Sequence, residues 1–205
     1  GAVQETLADL AAYTYAQGAL VASVSALFEA GEDPGLEASI AKAWASDVLN
    51  KLAADAVQKH GGYGFITEYV VTHFKQDAEV MTKFEGANEI HYSQVIASLA
   101  LKYLQEHIWG KGKTLLAEWE VPEDDPLAAE VAAVKRAAMT IEQKGQELIE
   151  RFGGLREALK VAKTNQSDFM AWGKIVAKLC AMVATINRTR HRRELHLETT
   201  QEHDM

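Results

Sequence analysis

A glutamate between an aromatic residue and a glycine, in Phe84-Glu85-Gly86, separates two stretches with helical spacing. A carboxylate at such a break can be held in a pocket instead of water, which raises its proton affinity. The glycine that follows would let another molecule approach the backbone closely. Glu85 is also explained as an acidic residue in the first turn of the next helix, where the helix dipole favours it. The residue types alone leave both interpretations open.

Two other patterns indicate chemistry less strongly. The glycine-rich stretch Gly61-Gly62-Tyr63-Gly64 follows a helical pattern rather than a strand, and it lacks the Gly-Lys-Ser/Thr ending of a phosphate loop. A pair of metal ions in a helical bundle would need Glu-x-x-His on two helices. That motif is absent, and the nearest match, His191-x-x-Glu194, has the reversed order. The sequence therefore predicts neither a phosphate loop nor a metal site.

Two features of the second half have ordinary structural interpretations. The single cysteine, Cys180, cannot form an internal disulfide, and its apolar neighbours predict a buried small residue. Four arginines precede an acidic tail, which predicts a solvated helix end whose charges pair one turn apart. A binding patch for an acidic partner is the alternative. The arginines are Arg188, Arg190, Arg192 and Arg193.

Helices must position these residues, because apolar residues recur at spacings of three and four and no strand pattern of useful length occurs. We predict that the first helix stops at Gly31. Asp33-Pro34 then supplies a capping side chain and a proline at the first helical position of the second helix. The predicted helices of the first half are residues 4–30, 34–60, 68–82 and 89–107.

The second half carries two matching apolar seams that alternate steps of three and four. Gly145 in the first seam would let a neighbouring backbone approach, and a short helix over residues 155–163 separates the seams. Two such seams joined by a short connection predict an antiparallel helical hairpin. The seams are Leu127, Val131, Val134, Ala138, Ile141, Gly145, Leu148 and Phe152, and Phe169, Trp172, Val176, Leu179, Val183 and Ile186.

The composition supports an all-α chain and excludes several functions. The 205 residues include only three prolines, 48% are hydrophobic and 24% are charged, which is typical of a globular protein. A formal net charge of −8 argues against nucleic-acid binding, which needs a positive surface. No basic region followed by an apolar one opens the chain. Lys178 interrupts the longest apolar run, so we expect no run to approach the ~18 residues that span a bilayer. We therefore expect an intracellular protein and do not expect it to attach to membranes.

Three segments together resemble the C-terminal helical domain of flavin-dependent acyl-CoA dehydrogenases. They are residues 38–47, 56–65 and 84–90, and Glu68-Tyr69 and Asp77-Ala78 match further family elements between them. Their order and spacing extend the resemblance over residues 4 to about 103. The implied fold is all-α: the antiparallel helical bundle of that domain over residues 1–108, a linker over 109–126, and the helical-hairpin extension over 127–205.

The resemblance implies α,β-dehydrogenation of an acyl-CoA thioester with FAD as the cofactor. Glu85 stands at the position of the base that removes the α-proton, while the β-hydrogen leaves as hydride to the flavin. Phe84 and Gly86 would border the substrate. Two segments would contact FAD, the first of them an FAD bound mainly by a neighbouring subunit. These cofactor residues are Gln58, Gly61 and Gly62, and Ala87, Asn88 and Glu89.

Several positions depart from the family pattern. Ala87 replaces the threonine or serine usual after Glu-Gly, so a hydroxyl that could bond the cofactor is lost. Gln76 stands where arginine is usual, Glu79 replaces a common lysine, and His91-Tyr92 replaces the frequent Gln-Arg. The base itself is kept.

The resemblance also implies an N-terminal helical domain, a β-domain and a first bundle helix, which we expect to be missing from this sequence. We therefore expect a fragment, a proteolysed product or one piece of a split enzyme, inactive alone. The implied partners are an acyl-CoA, an electron-transfer partner that reoxidises the flavin, and a homo-oligomer (dimer or tetramer) or a companion chain. The expected location is the cytoplasm, or the mitochondrial matrix in a eukaryote. A non-catalytic assembly module, in which the helices only mediate oligomerisation, is the alternative function.

Overall fold

The computed structural model describes residues 1–105, 122 and 124–203, with side chains described as far as residue 195. Helices and turns make up nearly all of this part of the chain, and no strand occurs in it. The prediction of an all-α fold is therefore confirmed.

The first half contains two long helices and a shorter one, α1 (Ala2–Glu29), α2 (Gly35–Lys59) and α3 (Val70–Met81). A 3-10 helix, Gly61–Gly64, connects α2 to α3. The carboxylate of Asp33 accepts a hydrogen bond from the backbone N–H of Gly35 at 3.0 Å. The predicted hydrogen bond to the Asp33 side chain is thus present. Pro34, however, is the N-cap residue and α2 begins at Gly35, so the prediction that Pro34 is the first helical residue is wrong by one position.

The helix predicted over residues 89–107 is not uniform. The short α4 (Asn88–Ile90) leads into a π-helical segment (His91–Ile96), and α5 (Ala97–Gln105) follows. The N–H of Ala97 donates to the carbonyl oxygen of Tyr92, five residues earlier, which is the π-type bond. Apolar spacings of three and four fit a regular helix and a helix with a wide turn equally well, so the pattern did not reveal it. Residues 106 and 107 lie outside the described part.

Helices α6 (Ala128–Arg151) and α8 (Gln166–His203) form the predicted hairpin, with the short α7 (Leu155–Val161) between them. Most residues of both apolar seams are buried. A Cβ on Gly145 would lie 2.8 Å from the ring of Trp172, so the glycine does permit a close approach, here by an indole ring.

Contacts between the seams show that the hairpin is antiparallel. At one end the rings of Phe152 and Phe169 stack with their centroids 5.7 Å apart. At the other end Val134 and Ile186 line the same groove. Residues near the end of α6 therefore meet residues near the start of α8, as predicted.

The bundle and the hairpin share one hydrophobic core, because α8 packs against α1 and the π-helical segment. Arg188 of α8 lies over the ring of Tyr15, 4.8 Å from its centroid, and donates to the Tyr15 carbonyl oxygen at 3.4 Å. The prediction that all four arginines of this run are solvated is therefore wrong for Arg188, which joins α8 to α1. The predicted linker, residues 109–126, lies largely outside the described residues, so the domain boundaries stay a prediction.

Two helical stretches, Ala2–Glu29 and Gln166–Leu195, are long and apolar enough to cross a membrane by length and composition alone. The expectation that no apolar run approaches the length needed to span a bilayer is wrong by this measure of length and composition. The apolar window of Gln166–Leu195 is 56% buried inside the protein, as in a core helix of a folded domain, whereas that of Ala2–Glu29 is 11% buried. Packing against the bundle therefore accounts for the apolar character of α8.

Cys180 faces the protein side of α8. The side chain is half-buried and packs against the hydrophobic core. Burial, with a smaller contribution from the charge of Glu37, raises the pKa of the Cys180 thiol to about 12. Cys180 thus packs as a small apolar side chain, although it is less buried than predicted.

Candidate functional site

Glu85 lies in a tight turn between α3 and α4. The backbone N–H of Asn88 donates to the carbonyl oxygen of Thr82 at 3.0 Å and closes the turn. Glu85 has a φ of 54° and Gly86 a φ of 97°, so two successive residues are left-handed. Among the described residues Glu85 is the one non-glycine residue with positive φ. That conformation costs roughly 1–2 kcal/mol and persists only where the surroundings hold it.

The turn presents its side chains to the outside. The Glu85 side chain and Gly86 are exposed, and Phe84 beside them is 48% exposed. A carboxylate, an aromatic ring and an accessible backbone therefore share one short turn. Because this chain does not bury Glu85, a pocket that desolvates it would have to be completed by another part of the protein.

Lys42 of α2 anchors the turn on one side. Its Nζ donates to the carbonyl oxygen of Gly86 at 2.5 Å and to Oδ1 of Asn88 at 2.7 Å. Burial lowers the pKa of Lys42, and nearby carboxylates, Asp47 foremost, partly offset that effect. The lysine thus fixes the position of one backbone carbonyl next to the candidate base.

A buried polar network holds Asn88 beneath the turn. Its amide Nδ2 donates to Oδ1 of Asp47 at 2.6 Å and to Oγ of Ser46 at 2.9 Å. The hydroxyl of Tyr92 donates to Oδ2 of the same aspartate at 2.9 Å. Burial, and then the neighbouring Asp47 carboxylate, raise the pKa of Tyr92, which keeps the hydroxyl protonated as a donor. The network joins α2 to the π-helical segment.

Sequence reasoning did not identify Lys42, Asp47, Tyr92 or His91 as site residues. His91 meets the turn from a second side, with Nε2 3.0 Å from the carbonyl oxygen of Glu85. One signal was available: Lys42 and Ser46 are four residues apart, which places two polar side chains on one face of α2. The segment that this face meets is decided by the tertiary fold.

The first group of predicted FAD residues lies apart from the turn. Gln58, Gly61 and Gly62 are exposed at the C-terminal end of α2. Gln58 is about 16 Å from Asp47 along the helix axis, at the rise per residue of an α-helix. A Cβ on Gly61 or Gly62 would meet no atom within 4 Å, so this segment is open surface. It fits an edge contact with a large, extended cofactor that is held mainly elsewhere.

The second group of predicted FAD residues directly follows the turn. Ala87 is half-buried and Glu89 is exposed, whereas Asn88 is only 4% exposed. Because the Asn88 amide is committed to α2, a cofactor contact at this residue would come from its backbone. In the described part of the chain no group of three histidine, cysteine, aspartate or glutamate residues could hold a metal ion.

A groove of about 800 Å³ runs between the bundle and the hairpin. Its walls are mostly apolar side chains of α1, α2, α6 and α8, and Asp47 and Tyr92 form part of its polar edge. The residues predicted for catalysis and cofactor binding lie outside this groove.

The family model of the acyl-CoA dehydrogenase C-terminal domain matches residues 1–100. The chain is 38% identical over 101 residues to the caffeyl-CoA reductase-Etf complex subunit CarC of Acetobacterium woodii, which covers 49% of this chain and 26% of that protein. It is 45% identical over 84 residues to an acyl-CoA dehydrogenase of Bacillus subtilis, which covers 41% of this chain and 22% of that protein. The chain thus spans about a quarter of the length of the curated relatives it matches.

A crystal structure of an acyl-CoA dehydrogenase from Bacillus anthracis, complexed with FAD, is similar with a TM-score of 0.76 and 26% sequence identity. The similarity covers 94% of this chain and 36% of that one. Because the family model ends at residue 100, this coverage includes most of the hairpin as well. Residues 1–100 are thus similar to the C-terminal helical domain of the acyl-CoA dehydrogenase family.

Proposed function

We propose that this chain is the C-terminal part of a flavin-dependent acyl-CoA dehydrogenase, in which Glu85 removes the α-proton of an acyl-CoA thioester. The α-proton passes to the Glu85 carboxylate and the electrons of that C–H bond form the α,β double bond. FAD, when bound, accepts the hydride that leaves the β-carbon.

The observation that carries this proposal is an exposed carboxylate on a turn whose backbone is held from two sides. The Glu85 carbonyl is within hydrogen-bonding distance of His91, and the Gly86 carbonyl accepts from Lys42. A general base needs access to its substrate and a fixed direction of approach, and this turn provides both. The rest of the protein would supply the acyl-CoA pocket and the water exclusion.

The remaining roles follow from the same placement. Phe84 and Gly86, exposed beside Glu85, would border the thioester. The open segment at the end of α2 would touch an FAD held mainly by a second subunit, which supports a homo-oligomer (dimer or tetramer) or a companion chain. An electron-transfer partner that reoxidises the flavin is part of the same proposal. The Acetobacterium woodii relative is named as a subunit of a reductase-Etf complex, and that name supports a protein partner of this kind. The cytoplasm, or the mitochondrial matrix in a eukaryote, is the proposed location.

A non-catalytic assembly module is the second candidate. It is favoured by large apolar side chains that are exposed between the 3-10 helix and the Glu85 turn, among them Phe65 at 85% and Phe74 at 58%. An exposed apolar surface of this kind fits contact with another subunit or domain. A catalytic chain would use such a surface too, so Glu85 is the residue that separates the two functions.

The test replaces Glu85 in the full-length protein that contains this chain, after intact mass and flavin absorption have established its size and cofactor. Glu85→Gln removes the base with little change in shape, and Glu142→Gln on the exposed face of α6 is the matched control. Each protein is mixed anaerobically with acyl-CoA while flavin absorbance is followed. We expect flavin reduction to slow by about 10²–10⁴-fold in Glu85→Gln and to be unchanged in the control. A wild-type rate in Glu85→Gln would favour the assembly module.

A further inference from the structure

His91 contacts the candidate base through the backbone of the turn. Its ring nitrogen Nε2 lies 3.0 Å from the carbonyl oxygen of Glu85. A carbonyl oxygen only accepts hydrogen bonds, so Nε2 carries the proton and donates. The other ring nitrogen, Nδ1, is buried and has no hydrogen-bond partner among the residues the structure describes. A proton on Nδ1 would have no acceptor there, and the hydrogen bonding therefore favours the tautomer protonated at Nε2 alone.

The His91 ring also occupies the space next to Gly86. A Cβ on residue 86 would lie 3.0 Å from Nε2 and 3.3 Å from Cδ2 of His91. Gly86 also has a φ of 97°, which L side chains rarely adopt. Glycine at this position is therefore matched to the histidine ring, independently of any substrate that approaches from outside.

The two carbonyls of the turn are held by different donors. His91 binds the Glu85 carbonyl from within the π-helical segment, and Lys42 binds the Gly86 carbonyl from α2. The position of the Glu85 carbonyl oxygen depends on both backbone torsions of the residue, φ about the N–Cα bond and ψ about the Cα–C bond. A donor fixed on that oxygen hence opposes relaxation of Glu85 out of the left-handed conformation that directs its side chain outward.

We propose that His91 is a positioning residue for Glu85: its Nε2–H holds the Glu85 carbonyl and thereby aims the carboxylate at the substrate. This inference rests on the proposed function, since it assigns His91 a task only if Glu85 is the base. In this role His91 acts through the backbone of Glu85 rather than on the substrate. Its effect is on the geometry of proton abstraction, where small displacements of a catalytic group reduce rate strongly.

The test compares two replacements in the full-length holoenzyme. His91→Gln places an amide N–H where Nε2 lies, whereas His91→Leu fills the space without a donor. We expect His91→Leu to slow flavin reduction by about tenfold or more, with KM within about twofold, because positioning is lost in the transition state rather than in binding. His91→Gln should restore most of the rate. Equal rates for His91→Leu and wild type, with Glu85→Gln inactive, would overturn the inference and leave the proposed function intact.

The chain offers a matched control. His73 of α3 also has its Nε2 3.0 Å from the carbonyl oxygen of a residue six positions earlier, Thr67. His73→Leu removes the same kind of hydrogen bond away from the Glu85 turn, and we expect it to leave flavin reduction unchanged. A loss equal to that of His91→Leu would show a general effect on folding and would overturn the positioning role.

A second measurement does not depend on activity or on a variant that folds poorly. In protein labelled with ¹⁵N at histidine, NMR correlations between ring nitrogens and ring protons report which nitrogen carries the proton, and His91→Gln identifies the signals. We expect Nε2 of His91 to be protonated and Nδ1 unprotonated at neutral pH. A proton on Nδ1 with a bare Nε2 would overturn the inference, because no donor would then reach Glu85. If Glu85→Gln were active and His91 were nevertheless protonated at Nε2, the proposed function would be refuted although the hydrogen bond to Glu85 exists.

Discussion

Gly173 of α8 lies so close to Tyr92 of the π-helical segment that a Cβ on residue 173 would overlap the Tyr92 carbonyl oxygen and lie 3.0 Å from its carbonyl carbon. The same carbonyl accepts the π-type hydrogen bond from Ala97. The side chain of Tyr92, in turn, donates to Asp47 in the network beneath the Glu85 turn. A backbone contact therefore links the hairpin to the structure that supports the candidate base.

Gly173→Ala should destabilise the chain, because the new methyl group meets a backbone carbonyl that cannot rotate away. We expect a loss of about 1–3 kcal/mol in the free energy of unfolding, although alanine has the better helix propensity. The measurement is urea denaturation followed by circular dichroism. Gly62→Ala in the 3-10 helix is the control, since its Cβ would meet no atom within 4 Å. We expect that variant to change the free energy by no more than about 0.5 kcal/mol. Equal losses in the two variants would contradict a special contact at Gly173.

Tyr92→Phe tests the buried network. The substitution keeps the ring and removes the hydroxyl that donates to Asp47 at 2.9 Å, which leaves a carboxylate oxygen without its partner. We expect the free energy of unfolding to fall by about 1–3 kcal/mol. The control is Tyr63→Phe. Tyr63 is 63% exposed, so the substitution removes a hydroxyl from the surface and should change the free energy of unfolding by less than about 0.5 kcal/mol. A neutral Tyr92→Phe would mean that the hydroxyl does not contribute to stability.

Glu79 should make stability depend on acidic pH. Hydrogen bonds from Lys83, then Lys75 and then Asn50, lower the pKa of Glu79 from 4.5 to about 2. A carboxyl group with a lowered pKa in the folded state stabilises it above the unfolded pKa, and this contribution disappears as pH falls towards the folded value. The stability difference between wild type and Glu79→Gln should therefore be constant above about pH 5 and narrow between pH 4.5 and 2.

Urea midpoints of both proteins from pH 6 to pH 2.5 measure this difference. High salt at pH 6 should also reduce it, because Glu79 and its lysine partners are substantially exposed and solvent ions screen them. If the stability difference between wild type and Glu79→Gln stayed the same from pH 6 to pH 2.5, the ionised Glu79 carboxylate would not be the group that stabilises the fold.

Local patterns were sufficient to predict the helices and the antiparallel hairpin. A helix buries one face, so apolar residues must recur at spacings of three and four wherever a long helix packs, and that signal is present within each segment. Glu85 was predictable as an unusual residue for a similar reason, since Phe84-Glu85-Gly86 breaks the helical spacing. The family resemblance over residues 4 to about 103 was also available from the sequence, because motif order and spacing are properties of the chain.

The tertiary structure decided which residues hold the Glu85 turn in place. Lys42 and Asp47 are more than 35 positions from the turn that they hold, and no local pattern indicates which helix face meets which turn. The π-helical segment His91–Ile96 could not be predicted from the sequence either, because one extra residue in a helical turn barely alters the apolar spacing. The sequence by itself determined the helices and the candidate base, which depend on near neighbours. The long-range packing of α2, the π-helical segment and α8 alone decided the direction in which that base points, because contacts between distant segments exist only once the helices have packed.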